Sequence, residues 1–263
     1  MPTDQTNAVL SKVPAITLGF WIIKILATTL GETGGDSLSM TYDFGYLASS
    51  AIFIVPLIVL VLAQIRAKQF HPLLYWATII ASTTAGTTMA DFATRSIGIG
   101  YPGGSVLLFG SVLACLFAWH RSMGTVNVNT IATARAEAFY WLTITFSQTL
   151  GTALGDWLAA PLDDLPPGIG LGYVGGAAVF GAALAGVAAL YLWTKASRVM
   201  LFWAAFILTR PLGATVGDFL DKPLAKGGLE LSRPLASLVL AGVILALVLI
   251  LPQRAGEHPG AKA

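Results

Sequence analysis

Residues 141–156, "WLTITFSQTLGTALGD", decide the fold of this chain. The segment reads like a membrane-spanning helix, yet it ends in a carboxylate, Asp156, fifteen residues after Trp141. The same spacing occurs three more times, from Trp21 to Asp36, Trp76 to Asp91 and Trp203 to Asp218. A glycine stands ten residues after each tryptophan, at Gly31, Gly86, Gly151 and Gly213. This self-similarity predicts four tandem repeats.

Composition indicates a membrane protein. Apolar residues make up 56% of the 263 residues and charged residues only 11%, whereas about 25% of a soluble domain is charged. Apolar runs of about 20 residues recur along the chain, long enough to cross about 30 Å of hydrocarbon. We therefore predict an all-α integral membrane protein in the lipid bilayer, with no nucleic-acid partner. Its helices are expected at residues 14–31, 46–65, 72–90, 103–119, 138–156, 172–193, 199–217 and 235–251.

Each repeat is predicted to be a hairpin of two transmembrane helices, which makes eight spans. Because each repeat crosses the bilayer twice, all four enter it in the same sense. They should be related by pseudo-rotational symmetry about the membrane normal. Such a chain is also compatible with a homo-oligomer. The predicted divisions are an N-terminal tail 1–12, repeats 13–70, 71–134, 135–197 and 198–252, and a C-terminal tail 253–263.

Basic residues predict the orientation. Nine lysines and arginines, Lys262 among them, lie in the termini and between hairpins, and four lie in the loops inside hairpins. Positive charge favours the cytoplasmic side, so both termini are expected in the cytoplasm. The first residues lack the basic region and compact apolar core of a signal peptide, and none is expected.

A polar stripe runs along the first helix of each repeat. The positions three, seven and eleven residues after each tryptophan share one helical face. An unpaired charge at bilayer depth costs at least about 2.5–3.5 kcal/mol, so the stripe must face protein or water. We predict that it forms a substrate path made of Lys24, Thr28, Thr83, Thr87, Gln148, Thr152 and Arg210. The predicted metal ligands are Glu32, Asp36, Asp91, Asp156 and Asp218.

Other residues have expected structural roles. The four tryptophans should anchor or pack the helices near the cytoplasmic interface. The glycines should allow close helix packing, and those around each aspartate could also end or loosen the helix. Lys24 and Arg210 should neutralise Glu32 or an aspartate. Solvated positions in loops are expected for Asp163, Asp164, Asp221 and Glu230.

The repeats resemble a known family. Four two-helix units, each with a marker tryptophan and a segment such as "LGETGGD" (residues 30–36) or "LGTALGD" (residues 150–156), are similar to bacterial integral membrane proteins known as uncharacterised membrane-anchored proteins. The resemblance covers about residues 14–250. It implies eight spans in the bacterial cytoplasmic (inner) membrane and no particular activity. The fourth repeat departs from the pattern with Arg210-Pro211 and lacks the Gly-Tyr pair.

The predicted chemistry is cation transport. Carboxylates and hydroxyls are hard oxygen donors, which suit manganese, magnesium or calcium better than copper or zinc. The first hypothesis is a transporter or channel for a small cation, most readily a divalent metal such as manganese, with proton-coupled export as a variant. A bound divalent cation is the one cofactor that these residues suggest. The alternatives are a proton-coupled carrier of a small organic solute, or a metal-dependent intramembrane enzyme that the absence of catalytic motifs disfavours.

Overall fold

A computed structural model describes residues 10–257 of the chain. Within that range eight long helices follow one another, in agreement with the predicted number. The predicted tails extend beyond it, and Lys262 lies outside the described residues. The helices are α1 (Leu18–Asp36), α2 (Gly45–Arg66), α3 (Pro72–Asp91), α4 (Gly100–Met123), α5 (Ala134–Ala159), α6 (Gly172–Trp193), α7 (Arg198–Asp221) and α8 (Arg233–Ile250).

The first helix of each repeat begins with a recognisable start signal. The side chains of Thr17, Thr133 and Ser197 accept hydrogen bonds from backbone N–H groups in the first turns of α1, α5 and α7. Pro72 occupies the first turn of α3, where its missing N–H costs nothing. These residues mark where the four helices start, which is three, four, seven and five residues before the tryptophan in repeats one to four.

The first helices of the four repeats form a closed ring. We call α1, α3, α5 and α7 the inner helices: α1 contacts α3 and α7, and α5 contacts the same two. The outer helices, α2, α4, α6 and α8, pack chiefly on the inner helix of the following repeat, namely α3, α5, α7 and α1 in turn. The two helices of a predicted hairpin are therefore consecutive in the chain, but the outer helix packs mainly on the inner helix of the next repeat and not on its own.

The outside of the bundle is apolar. Within residues 10–257, α2, α4, α6, α7 and α8 are long and apolar enough to cross a membrane. The outer helices expose many large apolar side chains, for example Leu47 (62% exposed), Phe117 (66%) and Leu238 (70%). Contiguous apolar surface on this scale is typical of contact with lipid. The three helices that fall outside this group, α1, α3 and α5, carry the polar stripe together with α7.

Glycines bring the inner helices into close contact. At each interface, the glycine that stands ten residues after a tryptophan contacts a residue of the next repeat, the one seven positions after that repeat's tryptophan. A Cβ atom added to the glycine would lie within 3.0 Å of that neighbouring residue. The four contacts are Gly31 with Thr83, Gly86 with Gln148, Gly151 with Arg210 and Gly213 with Thr28. One turn later, Gly35 meets Thr87 and Gly217 meets Glu32. Neighbouring inner helices therefore run parallel.

The glycines do not interrupt the helices. The inner helices α1 and α3 continue to Asp36 and Asp91, and each is followed by one π-helical turn, Ser37–Thr41 and Phe92–Ser96. α5 and α7 run past their aspartates without a break. The expectation that the glycines loosen or end the helix is therefore wrong for α5 and α7. In α1 and α3 the regular α-helix does end at the aspartate and passes into the π-helical turn.

Aromatic rings fill one end of the ring of inner helices. The aromatic end consists of each tryptophan and the aromatic residue before it: Phe20, Trp21, Tyr75, Trp76, Tyr140, Trp141, Phe202 and Trp203. The ring before the tryptophan contacts the tryptophan of the next repeat in every case, with centroids 5.5 to 6.3 Å apart. The hydroxyls of Tyr75 and Tyr140 lie 2.6 Å apart. This end is therefore solidly packed.

A short ribbon covers the aromatic end. Strand β1 (Leu10–Pro14) pairs antiparallel with β2 (Ala255–Glu257), a feature that the all-helical prediction did not include. The ribbon is tied to the α4–α5 connection, where Ser11 Oγ donates to the Val128 carbonyl at 2.9 Å. The indole N–H of Trp203 donates to the carbonyl of Val126 in the same connection at 3.0 Å.

Candidate functional site

The predicted polar stripe lies inside the ring of inner helices. Its side chains and the predicted metal ligands are at most 4% exposed. These twelve residues are Lys24, Thr28, Glu32, Asp36, Thr83, Thr87, Asp91, Gln148, Thr152, Asp156, Arg210 and Asp218. Every one of them is carried by an inner helix.

A buried ion pair occupies the middle of the ring. Two nitrogens of Arg210 on α7 donate to Glu32 Oε2 on α1, each at 3.0 Å. The same guanidinium donates to the hydroxyls of Thr87 on α3 and Thr152 on α5, each at 2.6 Å. Arg210 thus neutralises Glu32, as expected, and joins all four inner helices. A charge this deeply buried needs such partners.

Lys24 has different surroundings. Its ammonium lies 3.4 Å from Gln148 Oε1 and 4.3 Å from the centre of the Phe206 ring. Within residues 10–257 no carboxylate is within ion-pair distance of it, so the expectation that Lys24 neutralises an acid is wrong. An amide oxygen and an aromatic face are the groups that stabilise this buried amine.

Two basic residues bridge the four repeated aspartates. We call Asp36, Asp91, Asp156 and Asp218 the aspartate ring. Arg95 lies 2.9 Å from both Asp91 and Asp156. Lys222 contacts Asp36 and lies 3.0 Å from Asp218. Each basic residue therefore joins the aspartate of its own repeat to that of the next.

The bridging residues were missed by the sequence reasoning, which counted Arg95 and Lys222 only as loop charges. A signal was present, because both stand nineteen residues after the tryptophan of their repeat and four after its aspartate. In the other two repeats this position holds Met40 and Ala160. The basic residue is therefore a feature of repeats two and four alone.

A fifth aspartate belongs to the site. Asp221 is 5% exposed; its two oxygens lie 3.9 Å from Lys222 and 3.4 Å from Arg233. The expectation that it is a solvated loop residue is wrong, because the last turn of α7 carries it inwards. Burial disfavours the charge on Lys222, but Asp218 and Asp36 outweigh that cost and hold the pKa of its ammonium well above its usual value.

The site carries an excess of negative charge. Five carboxylates, those of the aspartate ring and Asp221, face three basic side chains, Arg95, Lys222 and Arg233. With every group ionised, the formal charge is therefore −2, and the separate pair of Arg210 and Glu32 adds nothing to it. Buried charge of one sign is costly unless it is compensated, so the site should attract cations or protons.

A pocket of about 260 Å³ adjoins the aspartate ring at the end opposite the aromatic end. Asp156 and Asp218 line it together with Arg95, Lys222 and Arg233. Three tyrosines complete the lining, and each comes from a Gly-Tyr pair at the start of an outer helix: Tyr46, Tyr101 and Tyr173. The inner charges can therefore be approached from this side.

Three of the five predicted metal ligands come together. Glu32, Asp36 and Asp218 each offer an oxygen, and these atoms lie within 4.8 Å of one another. Asp91 and Asp156 are outside this group and share Arg95 instead. Carboxylate oxygens in such a cluster fit a hard divalent cation.

The comparison with known families agrees with the repeats in the structure. The family described as Repeat of Unknown Function (DUF347) matches four segments that together cover most of the chain, residues 19–70, 74–125, 139–197 and 201–253. The chain belongs to this family. Each DUF347 segment contains one inner helix and the outer helix that follows it. No curated protein and no solved structure matches the chain significantly.

Proposed function

We propose that this DUF347 protein is a membrane transporter for a small cation, most readily a divalent metal such as manganese. The observation that carries the proposal is the buried aspartate ring beside a pocket, with two more negative charges than positive ones. One divalent cation, or two protons, would balance this charge. The same acids can therefore serve cation binding and proton coupling in alternation.

The proposed membrane setting has all eight helices crossing the bilayer. The outer helices expose apolar side chains, and their contacts with the inner helices shield the polar stripe from lipid. The glycine contact that recurs at all four interfaces supports a rotational relation between repeats about the membrane normal. In this setting both termini are cytoplasmic, and the pocket faces the opposite side.

The two ends of the ring suggest how transport proceeds. A cation entering the pocket reaches the aspartate ring first, and the ion pair of Arg210 and Glu32 lies beyond it. The aromatic end closes the far side. Release to the cytoplasm therefore requires the inner helices to move apart at the aromatic end, as alternating access demands.

The test is cation flux in proteoliposomes containing the full chain. Manganese uptake should fall at least tenfold in Asp36→Asn and Asp218→Asn, because each change removes a charged oxygen from the cluster. Asp43→Asn is the matched control, since Asp43 is exposed and lies outside the aspartate ring. Wild-type flux in both ring variants would remove the proposal.

A second candidate is a carrier for a small organic solute. The pocket is also lined by Lys226 and Arg233 and by three tyrosines, groups that suit a carboxylate-bearing solute better than a bare ion. In that case Lys226→Gln should reduce uptake of the solute and leave metal-induced stabilisation unchanged, because Lys226 pairs with Asp164 and not with a predicted metal ligand. A panel of labelled organic acids, measured beside manganese in the same vesicles, separates the two candidates.

A further inference from the structure

The two basic residues of the aspartate ring are chemically different. Arg95 binds Asp91 and Asp156 through different nitrogens of one planar guanidinium, an arrangement that holds two carboxylates in fixed positions. Lys222 places a single compact ammonium between Asp36 and Asp218. An ammonium on a flexible stem can leave such a position more easily than a guanidinium held at two points.

The acids around Lys222 are the ones that could hold a metal ion. Asp36 and Asp218, the partners of Lys222, form the three-carboxylate cluster with Glu32. Asp36 is 1% exposed, and its Oδ1 has no hydrogen-bond partner within residues 10–257. A buried carboxylate oxygen without a partner is costly, so it is a ready ligand for a cation.

Lys222 also has an alternative partner. Asp221 Oδ1 lies 3.9 Å from its ammonium, too far for a hydrogen bond but within reach of a change in side-chain rotamer. If Lys222 moved to Asp221, Asp36 and Asp218 would lose their nearest counter-charge among residues 10–257, and Arg233 would remain 4.0 Å from Asp36. The vacated position would then lie between Asp36 and Asp218, which each offer an oxygen within 4.8 Å of one of Glu32.

We propose that Glu32, Asp36 and Asp218 form a divalent-cation site and that the ammonium of Lys222, which is bound to Asp36 and Asp218 in the resting protein, is a tethered competitor of the cation. Binding of the cation displaces Lys222 towards Asp221, and the formal charge of the site changes from −2 to zero. Arg95 has no such role and keeps Asp91 and Asp156 together. The inference rests on the proposed function only in taking the bound ion to be the transported one.

The experiment compares Lys222→Gln with Arg95→Gln in the purified full chain. Thermal unfolding is followed in detergent while MnCl₂, MgCl₂ or CaCl₂ is titrated, because a ligand of the folded form raises its unfolding temperature. Removing the competitor should lower the cation concentration for half-maximal stabilisation at least tenfold in Lys222→Gln. The matched variant Arg95→Gln removes the same charge but leaves Lys222 on Asp36 and Asp218, so its gain in affinity should be clearly smaller than that of Lys222→Gln.

Further variants assign the gain to the site. Asp36→Asn combined with Lys222→Gln should lose the gain in affinity, since it removes a ligand. Lys222→Arg should bind cations more weakly than the wild type, because a guanidinium grips both carboxylates. Lys222→Arg keeps the positive charge, so its weaker cation binding tests the competitor if Lys222→Gln does not fold. Choline chloride at equal ionic strength controls for screening.

The outcomes separate this inference from the transport proposal. Equal cation affinity in the two glutamine variants, or no cation response in any protein, overturns the tethered competitor. If wild-type vesicles transport manganese but the two glutamine variants bind cations with equal affinity, the transport proposal is supported and the tethered competitor is overturned. Tighter binding in Lys222→Gln without wild-type flux establishes the site and removes transport.

Discussion

The aromatic end and the aspartate ring lie on the same inner helices, and in both a residue of one repeat contacts a residue of the next. They differ in how many of the four repeats make this contact. At the aromatic end, a ring from every repeat contacts the tryptophan of the next. At the aspartate ring, Arg95 and Lys222 are the only basic residues among residues 10–257 that lie within 3.0 Å of the aspartate of the next repeat. The aromatic contact between neighbouring repeats therefore occurs four times, and the ion pair between neighbouring repeats occurs twice.

The incomplete repetition has an electrostatic consequence. If all four repeats carried a basic residue nineteen positions after the tryptophan, the four aspartates would be fully neutralised. Met40 and Ala160 stand at those positions in repeats one and three, so two carboxylates are left in excess. The scaffold can be repetitive because close packing needs identical spacing, whereas the proposed cation site would need an imbalance of charge.

The largest expected effect comes from breaking the ion pair between the two ends. Arg210→Met should lower the free energy of unfolding by about 3–5 kcal/mol, because it leaves the carboxylate of Glu32 buried without a partner. Combining it with Glu32→Met should restore a substantial part of the loss. Denaturant unfolding of both variants in detergent measures this, and a double variant no more stable than the single one would contradict it.

A smaller loss of stability is expected when a glycine contact between the inner helices is disturbed. Gly213→Ala places a methyl group against Thr28 and should cost about 1–3 kcal/mol through overpacking. Gly181→Ala is the matched control, because a Cβ there meets nothing within 4 Å. Thermal unfolding of the two variants should therefore differ clearly, and similar values would argue against close contact between α1 and α7.

The aromatic end can be weakened without touching the charges. Tyr75→Phe removes one partner of the 2.6 Å hydroxyl contact with Tyr140 and should cost about 1 kcal/mol. Cation-induced stabilisation should stay as in the wild type, since the change is far from the aspartate ring. A lost cation response in this variant would mean that the two ends are tightly coupled.

The smallest effect is expected at the edge of the pocket. Lys226 and Asp164 form a half-exposed pair at 3.5 Å, and such pairs contribute at most about 1 kcal/mol. Lys226→Ala should therefore shift the unfolding temperature little, and less still at high salt. A large shift would show that the pair clamps the α5–α6 and α7–α8 connections together.

Much of the scaffold follows from spacing in the sequence. Trp141 and Asp156, with their counterparts, predict four units and the face that turns inwards, because helical geometry converts a shared spacing into a shared face. The partners across the ring could not be predicted in this way. That Gly151 meets Arg210 and that Lys222 reaches Asp36 depend on the order of the helices around the ring, which one sequence does not encode locally.

The errors have related causes. Asp221 follows an apolar helix and reads as a loop residue, but α7 extends three residues beyond Asp218 and turns it inwards. Lys24 was paired with an acid on charge alone, although the nearest groups are Gln148 and Phe206. The ribbon of β1 and β2 joins segments more than 240 residues apart, and no periodic pattern reports such a contact.

The ribbon of β1 and β2 makes the chain suitable for circular permutation. Strand pairing holds the first and last described residues side by side, Leu10 opposite Glu257, at the distance between neighbouring strands, about 5 Å. A short linker could join them, and new ends could open at Gly124 in the α4–α5 connection. Circular permutants of this kind should assemble, because a closed ring of tandem units has no required starting point.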